Sequence, residues 1–450
     1  MSKEEHLVIV GGGITGLAAA LIASKSGAKV TVLEASDEPG GLLKTFEIGQ
    51  NRLEHFYHHF FNHDAELHWL ISHLGLEEKV IYKNTRMGVF REGKIFDFTT
   101  PRDLLSYTPM NWLDKLRFVI SSWYLGNWAK WQKNEHISAY RWLARWSGKS
   151  TFEALWKPLL DVKFGSLAHS VPLAWMIGRL RQRFHSRRAG QEQLGYMHGS
   201  LQVLLDALIG RLKDSGVNLI VNAKVDQVTV SNNCLLNVIA NESFIDGDKF
   251  LFTIPGNYVG DMLRPTHSSL SHRLNEVKYF NAVCVILELN KALTDKYWLN
   301  IADPGYAFGG VIEQTNFVDP IQYNGSHIVY LSRYFSDEEA IANMSNDEIA
   351  KLMIGKLQDL NHNFSEDWIR SVRTFRSSTA ATICDSMFSK KVPSCKTEIS
   401  NMFVANMSHI YPDERSANNS IRVAAEACRC MGYDSKYIPS NQSLSGKIGF

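Results

Sequence analysis

The first 34 residues alternate between apolar runs and glycine-marked breaks. Leu7 to Val10 is a short β-branched run suited to a buried parallel strand. Gly11, Gly13 and Gly16 follow as G-x-G-x-x-G, and Leu17 to Ala23 is small and helix-forming. Gly27 stops that helix, and Lys29 to Glu34 returns as a second strand. A related pattern recurs from Gly195: Gly199 opens a helix expected to reach Lys213, Gly216 ends it, and "KFLFTIP" reads as a strand ending at Pro255. Near the C-terminus, Met402 to Ala405 reads as a strand and a helix is expected from about Ser416. "YFNAVCVILELN" and "HIVYLSRYF" have the β-branched and aromatic content of sheet strands. "NWLDKLRFVISSWYLGNWAKWQK" reads as one helix with apolar residues at 112, 116, 119, 120 and 123. This helix is expected to cap a substrate pocket; a helix lying on a membrane surface is the alternative.

Composition narrows the class. With 450 residues the chain exceeds one typical core, so two domains or a double-lobed unit is expected. Hydrophobic residues at 45% and charged residues at 21% are ordinary for a globular protein. Lys and Arg total 48 against 46 acids, which argues against a nucleic-acid partner. The six cysteines, at 234, 284, 384, 395, 428 and 430, form no C-x-x-C pair and fit reduced thiols in a cytoplasmic protein. No signal peptide and no run of 18 apolar residues is present, so no spanning helix is expected.

The chemistry begins at the glycines. Gly11 allows a tight turn, Gly13 lets a pyrophosphate approach the backbone, and Gly16 lets helix and strand pack closely. Ile14 and Thr15 open the helix whose positive end would hold the pyrophosphate. Glu34 lies 18 residues after Gly16, where a carboxylate can accept both ribose hydroxyls and repel a 2′-phosphate. Strand, turn, helix, strand and acid in register point to a dinucleotide.

Glu34 is followed by E-x5-G-G-L-x-x-T, with Ala35 next to the acid, Gly40-Gly41 as the pair, Leu42 after it and Thr45 at the end. This resembles the signature of the flavin amine oxidase superfamily, which includes amine oxidases, protoporphyrinogen oxidases and carotenoid desaturases. The protoporphyrinogen oxidase and desaturase branch looks most similar. The resemblance implies FAD, with the second glycine pair following its pyrophosphate and ribityl chain. Leu42 stands where many members have Arg, and Lys44 is a candidate replacement for that charge. By the same resemblance Val225 contacts adenine through its backbone, and Asn406 stands at a strand end that returns to the cofactor. Asn418, Asn419 and Ser420 open a helix facing the flavin pyrimidine, with Glu414 as a substitute for a missing acid. A helix N-terminus there would stabilise negative charge on the ring.

The resemblance also implies an α/β fold: a discontinuous Rossmann-like FAD-binding domain (residues 1–80, 195–260 and 395–450) with an inserted α+β substrate domain (81–194 and 261–394) of antiparallel sheet plus helices. The stretch "EHFYHHFFNH" would pass over the flavin. Its histidines at 55, 58, 59 and 63 do not match a metal-ligand spacing, so no metal is expected. Tyr57 and His58 are the catalytic candidates. "GRLRQRFHSRR" reads by default as a solvated charged face. The sharper reading is an anion clamp of Arg179, Arg183 and Arg187, joined by Lys157 and Lys163. Arg333, Tyr334 and Glu313 are further pocket candidates. The cysteine spacing does not match amine oxidases that link flavin covalently, so non-covalent FAD is expected.

The activity expected is oxidation of a C–N or C–C bond of a small molecule, with an anionic molecule as one candidate, by hydride transfer to flavin N5. A non-redox mutase of the UDP-galactopyranose mutase type and a non-catalytic FAD-binding protein are the alternatives. A cytoplasmic location, with peripheral membrane contact as a variant, completes the reading; substrate identity and oligomeric state are not legible.

Overall fold

The structure is a computed structural model that describes residues 5–188 and 191–439; the side chains of 187, 188, 191 and 192 also lie outside the description. A five-stranded parallel sheet is built from β1 (His6–Val10), β2 (Lys29–Leu33), β3 (Asn218–Ile220), β4 (Lys249–Phe252) and β5 (Met402–Val404). Its order is β3-β2-β1-β4-β5. All four pairings are parallel. The strands come from three distant stretches of chain and are apolar almost throughout, as a sheet covered on both faces requires.

Helices pack around this sheet and beyond it, among them α1 (Ile14–Lys25), α2 (Trp112–Asn127), α3 (Leu173–His185), α4 (Gln202–Asp214) and α5 (Ala417–Met431). In α1, residues Ile14 and Gly16 to Ala23 are buried, so the helix is enclosed by the sheet, α4 and α5 rather than amphipathic. Its alanines allow α5 to come close enough for the Cys428 thiol to reach the Ala19 carbonyl at 3.6 Å. That helix–sheet layer forms one core, with Leu204, Leu205 and Leu208 of α4 sealing its side.

A second sheet of seven strands stands beside the first. Its order runs Ile369–Thr382, Tyr279–Leu289, His327–Phe335, Gly310–Glu313, Trp298–Ile301, Met87–Arg91 and Lys94–Asp97. The two strands expected from aromatic and β-branched content are antiparallel neighbours in it, pairing Asn281 with Phe335 through to Leu289 with His327. Helices from residues 101–185, including α2 and α3, cover one side with an aromatic core around Tyr107, Trp131, Phe152 and Trp156.

One expectation fails. The apolar positions of α2 do not seal a pocket: Trp112, Leu116, Val119, Ile120 and Trp123 are all exposed. The face that packs inward carries Asp114, Lys115, Ser121, Ser122, Leu125 and Gly126. Gly126 packs against the Phe184 ring of α3 so closely that any Cβ there would clash. Small and polar residues make the closer contact, and the bulky ones are left outside.

A candidate flavin site and the charged cluster beside it

The dinucleotide end is set by close backbone approach. Gly11 has φ of +112°, and a Cβ on Gly16 would collide with the Gly11 carbonyl. Gly13 caps α1 without a side chain, so the Ile14 and Thr15 amides open the helix without intrahelical acceptors. The second glycine pair packs on the first loop. Gly13 and Gly40 form a parallel bridge, and the Gly40 amide donates to the Gly12 carbonyl at 2.8 Å. A Cβ on Gly41 would stand 3.1 Å from Gly13 Cα. Leu42 lies in the 3-10 turn Gly41–Leu43 that follows. Lys44 faces Asp37 at 3.4 Å.

Glu34 follows β2 and is held by amides: Gly12 N–H donates to Oε2 at 2.8 Å and Ser36 N–H to Oε1 at 2.9 Å. Beside it a cleft of about 490 Å³ is lined by Gly11, Glu34, Ala35, Val225, Pro255 and Tyr258, among others. The cleft lies at the carboxyl ends of parallel strands, where open α/β sheets hold their ligands. A cradle of glycines that a Cβ would fill, uncapped helix amides and a carboxylate at the cleft edge together fit the adenylate and pyrophosphate of FAD.

The other end of the site is built where α5 begins. Asn406 follows β5, and its side chain accepts from the Ser408 amide at 3.1 Å and donates to the Ile254 carbonyl at 2.9 Å. Ser416 caps α5 by accepting from the Asn419 amide at 3.1 Å. Asn418 accepts from the Leu67 amide at 2.9 Å, and the Asn419 side chain donates to the Glu414 carbonyl at 2.7 Å. Asn419 thus fixes the turn, while Asn418 ties the start of α5 to the helix Ala65–His73. Ser420, one turn in, closes the first backbone bond of the helix to Ser416.

Just before that cap, a charged cluster forms. Glu414 pairs with Arg179 of α3, and Lys163 Nζ lies 3.9 Å from Glu414. Arg415 donates to the Tyr334 hydroxyl and lies 5.4 Å from that ring's centre. Lys163 also sits over the Trp175 ring at 4.8 Å. Gly178 makes the arrangement possible, because α3 runs against the Pro412 carbonyl where no Cβ fits. Burial pushes the Glu414 carboxyl up, but Arg179, Lys163 and Arg415 outweigh it and hold the group down to about 2. Burial pulls the Lys163 ammonium down to about 7; Glu414 opposes this, while Arg179 and Arg415 add to it. Phe280, Thr382, Cys384 and Tyr411 complete the lining.

Tyr57 and His58 reach the same neighbourhood. Burial, with a further push from Tyr334, keeps the Tyr57 phenol protonated, and Arg415 is among the charges it feels. His58 Nδ1 lies 2.6 Å from the Phe56 carbonyl, so that nitrogen carries the proton and donates. Burial and then Arg415 lower the His58 ring to about 4, which leaves it neutral at pH 7. The neighbouring histidines are packing groups: His55 stacks on Phe375 at 3.9 Å and His63 on Phe61 at 5.3 Å. Among the described residues no group of three or more His, Cys, Asp or Glu is placed to hold a metal ion.

The arginine run is not gathered as a clamp. Arg179 alone joins the cluster; Arg183 points to the Met87 sulfur at 3.7 Å, and the side chain of Arg187 lies outside the described residues. Lys157 pairs with Asp161 at 2.9 Å. Arg333 binds Glu339 at 2.6 Å, and Glu313 accepts from the Leu293 and Thr294 amides at 3.0 and 2.6 Å. Arg415 takes the place that Arg183 was expected to fill. Its only signal in the sequence was adjacency to Glu414, in a loop whose path a linear reading does not reveal.

Known proteins share this fold. The profile of the flavin containing amine oxidoreductase family matches residues 14–395. An L-amino-acid oxidase from Daboia russelii is 54% identical over 44 residues, which is 10% of this chain and 9% of that protein. The chain thus aligns with under a tenth of that relative's length. Among solved structures, a reduced UDP-galactopyranose mutase superposes with a TM-score of 0.73 at 14% identity, covering 99% of this chain and 100% of the other. Cyclohexylamine oxidase from Brevibacterium oxydans IH-35A superposes at 0.72 with 14% identity, covering 95% and 100%. At such identities the likeness is one of fold. The family match spans most of the chain: this protein belongs to the flavin-containing amine oxidoreductases, with FAD as its cofactor.

Proposed function

We propose that the protein oxidises a small molecule carrying a carboxylate or phosphate, and that Lys163, Arg179 and Arg415 hold this group while a C–N or C–C bond faces the flavin. The observation that carries the reading is the charge arrangement beside α5: Lys163, Arg179 and Arg415 surround Glu414, while the second carboxylate of the lining, Asp413, faces Arg422 at 3.8 Å. Half-buried cations that outnumber their counter-charges are costly, and a substrate anion would relieve that cost. The cavity among these residues is about 40 Å³, enough for one or two waters. A substrate anion would therefore enter by exchanging partners with Glu414 rather than by filling open space.

FAD supplies the two-electron acceptor. The chain's own part is positioning. The Tyr57 hydroxyl is a permanent donor at neutral pH and His58 Nε2 an acceptor, so the pair orients a polar group without storing a proton. The cations and the α5 N-terminus favour negative charge accumulating beside them. Cys384 lines the pocket, yet burial pushes its thiol up to about 12, which makes it a poor nucleophile and supports non-covalent attachment of the cofactor.

A titration of the holoprotein with inorganic pyrophosphate and with acetate, followed by flavin absorbance, tests the reading. A saturable spectral change with at least one anion is expected. Arg415→Gln should weaken it by about 2 kcal/mol, about thirtyfold, by removing one charged contact. No change in the wild-type protein at any concentration would refute the reading. One further reading draws on the same cations: a sugar diphosphate would suit them too, and the mutase shares the fold. That reaction would require prereduced flavin and show no net consumption of an electron acceptor.

A further inference from the structure

We infer that α2 and the helix Ala139–Trp146 form a docking face for an anionic lipid bilayer. The apolar residues of α2 recur at Trp112, Leu113, Leu116, Val119, Ile120 and Trp123, the spacing of one continuous helical stripe. This stripe faces solvent: Trp112 is 70% exposed, Leu113 75%, Leu116 59% and Ile120 58%. The opposite, inward face carries the small and polar residues. The helix is therefore inverted relative to an ordinary surface helix, and isolated exposed side chains do not account for a stripe of this length.

The patch continues beyond α2. Trp123 contacts Trp128, itself 68% exposed, with ring centres 5.2 Å apart. Tyr124 stacks near Trp142 at 6.2 Å, Trp142 lies 6.3 Å from Trp146, and Arg145 sits 5.5 Å from the Trp146 ring. Tryptophan and tyrosine are the residues that favour the boundary between headgroups and acyl chains.

Charge selects the occupant. Residues 101–150 hold eight Lys and Arg against three acids, in a chain whose overall formal charge is only +2. Two of those acids are turned inward: Asp114 accepts from the Ser150 amide at 2.8 Å and Glu135 from the Ser389 amide at 2.6 Å. Arg117, Lys130, Arg141, Arg145 and Lys149 remain exposed around the apolar stripe. An apolar face rimmed by bases matches a surface of anionic headgroups over hydrocarbon. A second copy seated face to face would set like charge against like. No described helix is long and apolar enough to cross a membrane, so the contact is one of lying on the surface.

Flotation of the FAD-loaded protein with vesicles tests this. With phosphatidylcholine–phosphatidylglycerol vesicles the wild-type protein should float and its tryptophan emission should shift to the blue. With phosphatidylcholine alone, or in molar salt, binding should fall sharply. Leu116→Glu/Ile120→Glu should lower affinity by about a hundredfold while leaving the flavin spectrum unchanged. Arg141→Glu/Arg145→Glu should abolish the preference for anionic vesicles. Wild-type protein that stays in solution with both vesicle types would overturn the inference. So would a wild-type dimer that Leu116→Glu/Ile120→Glu splits without any vesicle binding, which would assign the face to a second copy.

Discussion

Within the charged cluster, Lys163 is the cation whose state changes near neutral pH. It is charged below about 7 and neutral above, so its attraction for a substrate anion is present at pH 6 and fades as pH rises. The KM for an anionic substrate should therefore climb above pH 7, by up to about tenfold per unit, as protonating Lys163 becomes part of the cost of binding. Lys163→Gln should raise KM at pH 6 and flatten the profile; a wild-type profile that is flat from pH 6 to 9 would rule out a role for this ammonium. Glu34 and the first glycines were legible in the sequence because their spacing is local: one turn and one strand fix them. Arg415 was not, because its role depends on α3 meeting a loop more than 200 residues away, across the Gly178–Pro412 contact.

At the scale of elements, two loops define the pyrophosphate path, and each depends on the other. A side chain at Gly41 would strike Gly13, and its φ of +59° disfavours one in any case. Gly41→Val should yield a folded protein that retains little FAD, read as the ratio of flavin to protein absorbance beside an unchanged far-ultraviolet circular dichroism spectrum. A variant carrying FAD as the wild type does would separate the second glycine pair from cofactor binding. Strands β1, β2, β4 and β5 were readable from their apolar runs, as were α1 from its small residues and the Gly27 stop and α5 from about Ser416. The orientation of α2 was not. Its periodicity marks a stripe, but periodicity does not say whether the stripe faces protein or solvent. The inward contact is decided by Gly126 and the serines, which carry almost no hydrophobic signal.

Over the whole molecule, α3 links the two proposals. Its Gly178–Arg179 segment meets the charged cluster, and Phe184 on the same helix packs against α2 beneath the exposed stripe. The proposed substrate pocket and the proposed docking face are thus joined by one helix, an arrangement that would suit a substrate with an anionic head and an apolar body. The most direct test of the central claim is anaerobic reduction of the bound FAD by matched substrate pairs, each an acid and its methyl ester, followed by bleaching of the flavin band. The acid should reduce the flavin with a kcat/KM at least about tenfold above that of its ester, and Arg415→Gln should erase the difference. An ester that reduces the flavin as well as its acid would contradict the assignment of Lys163, Arg179 and Arg415 to substrate.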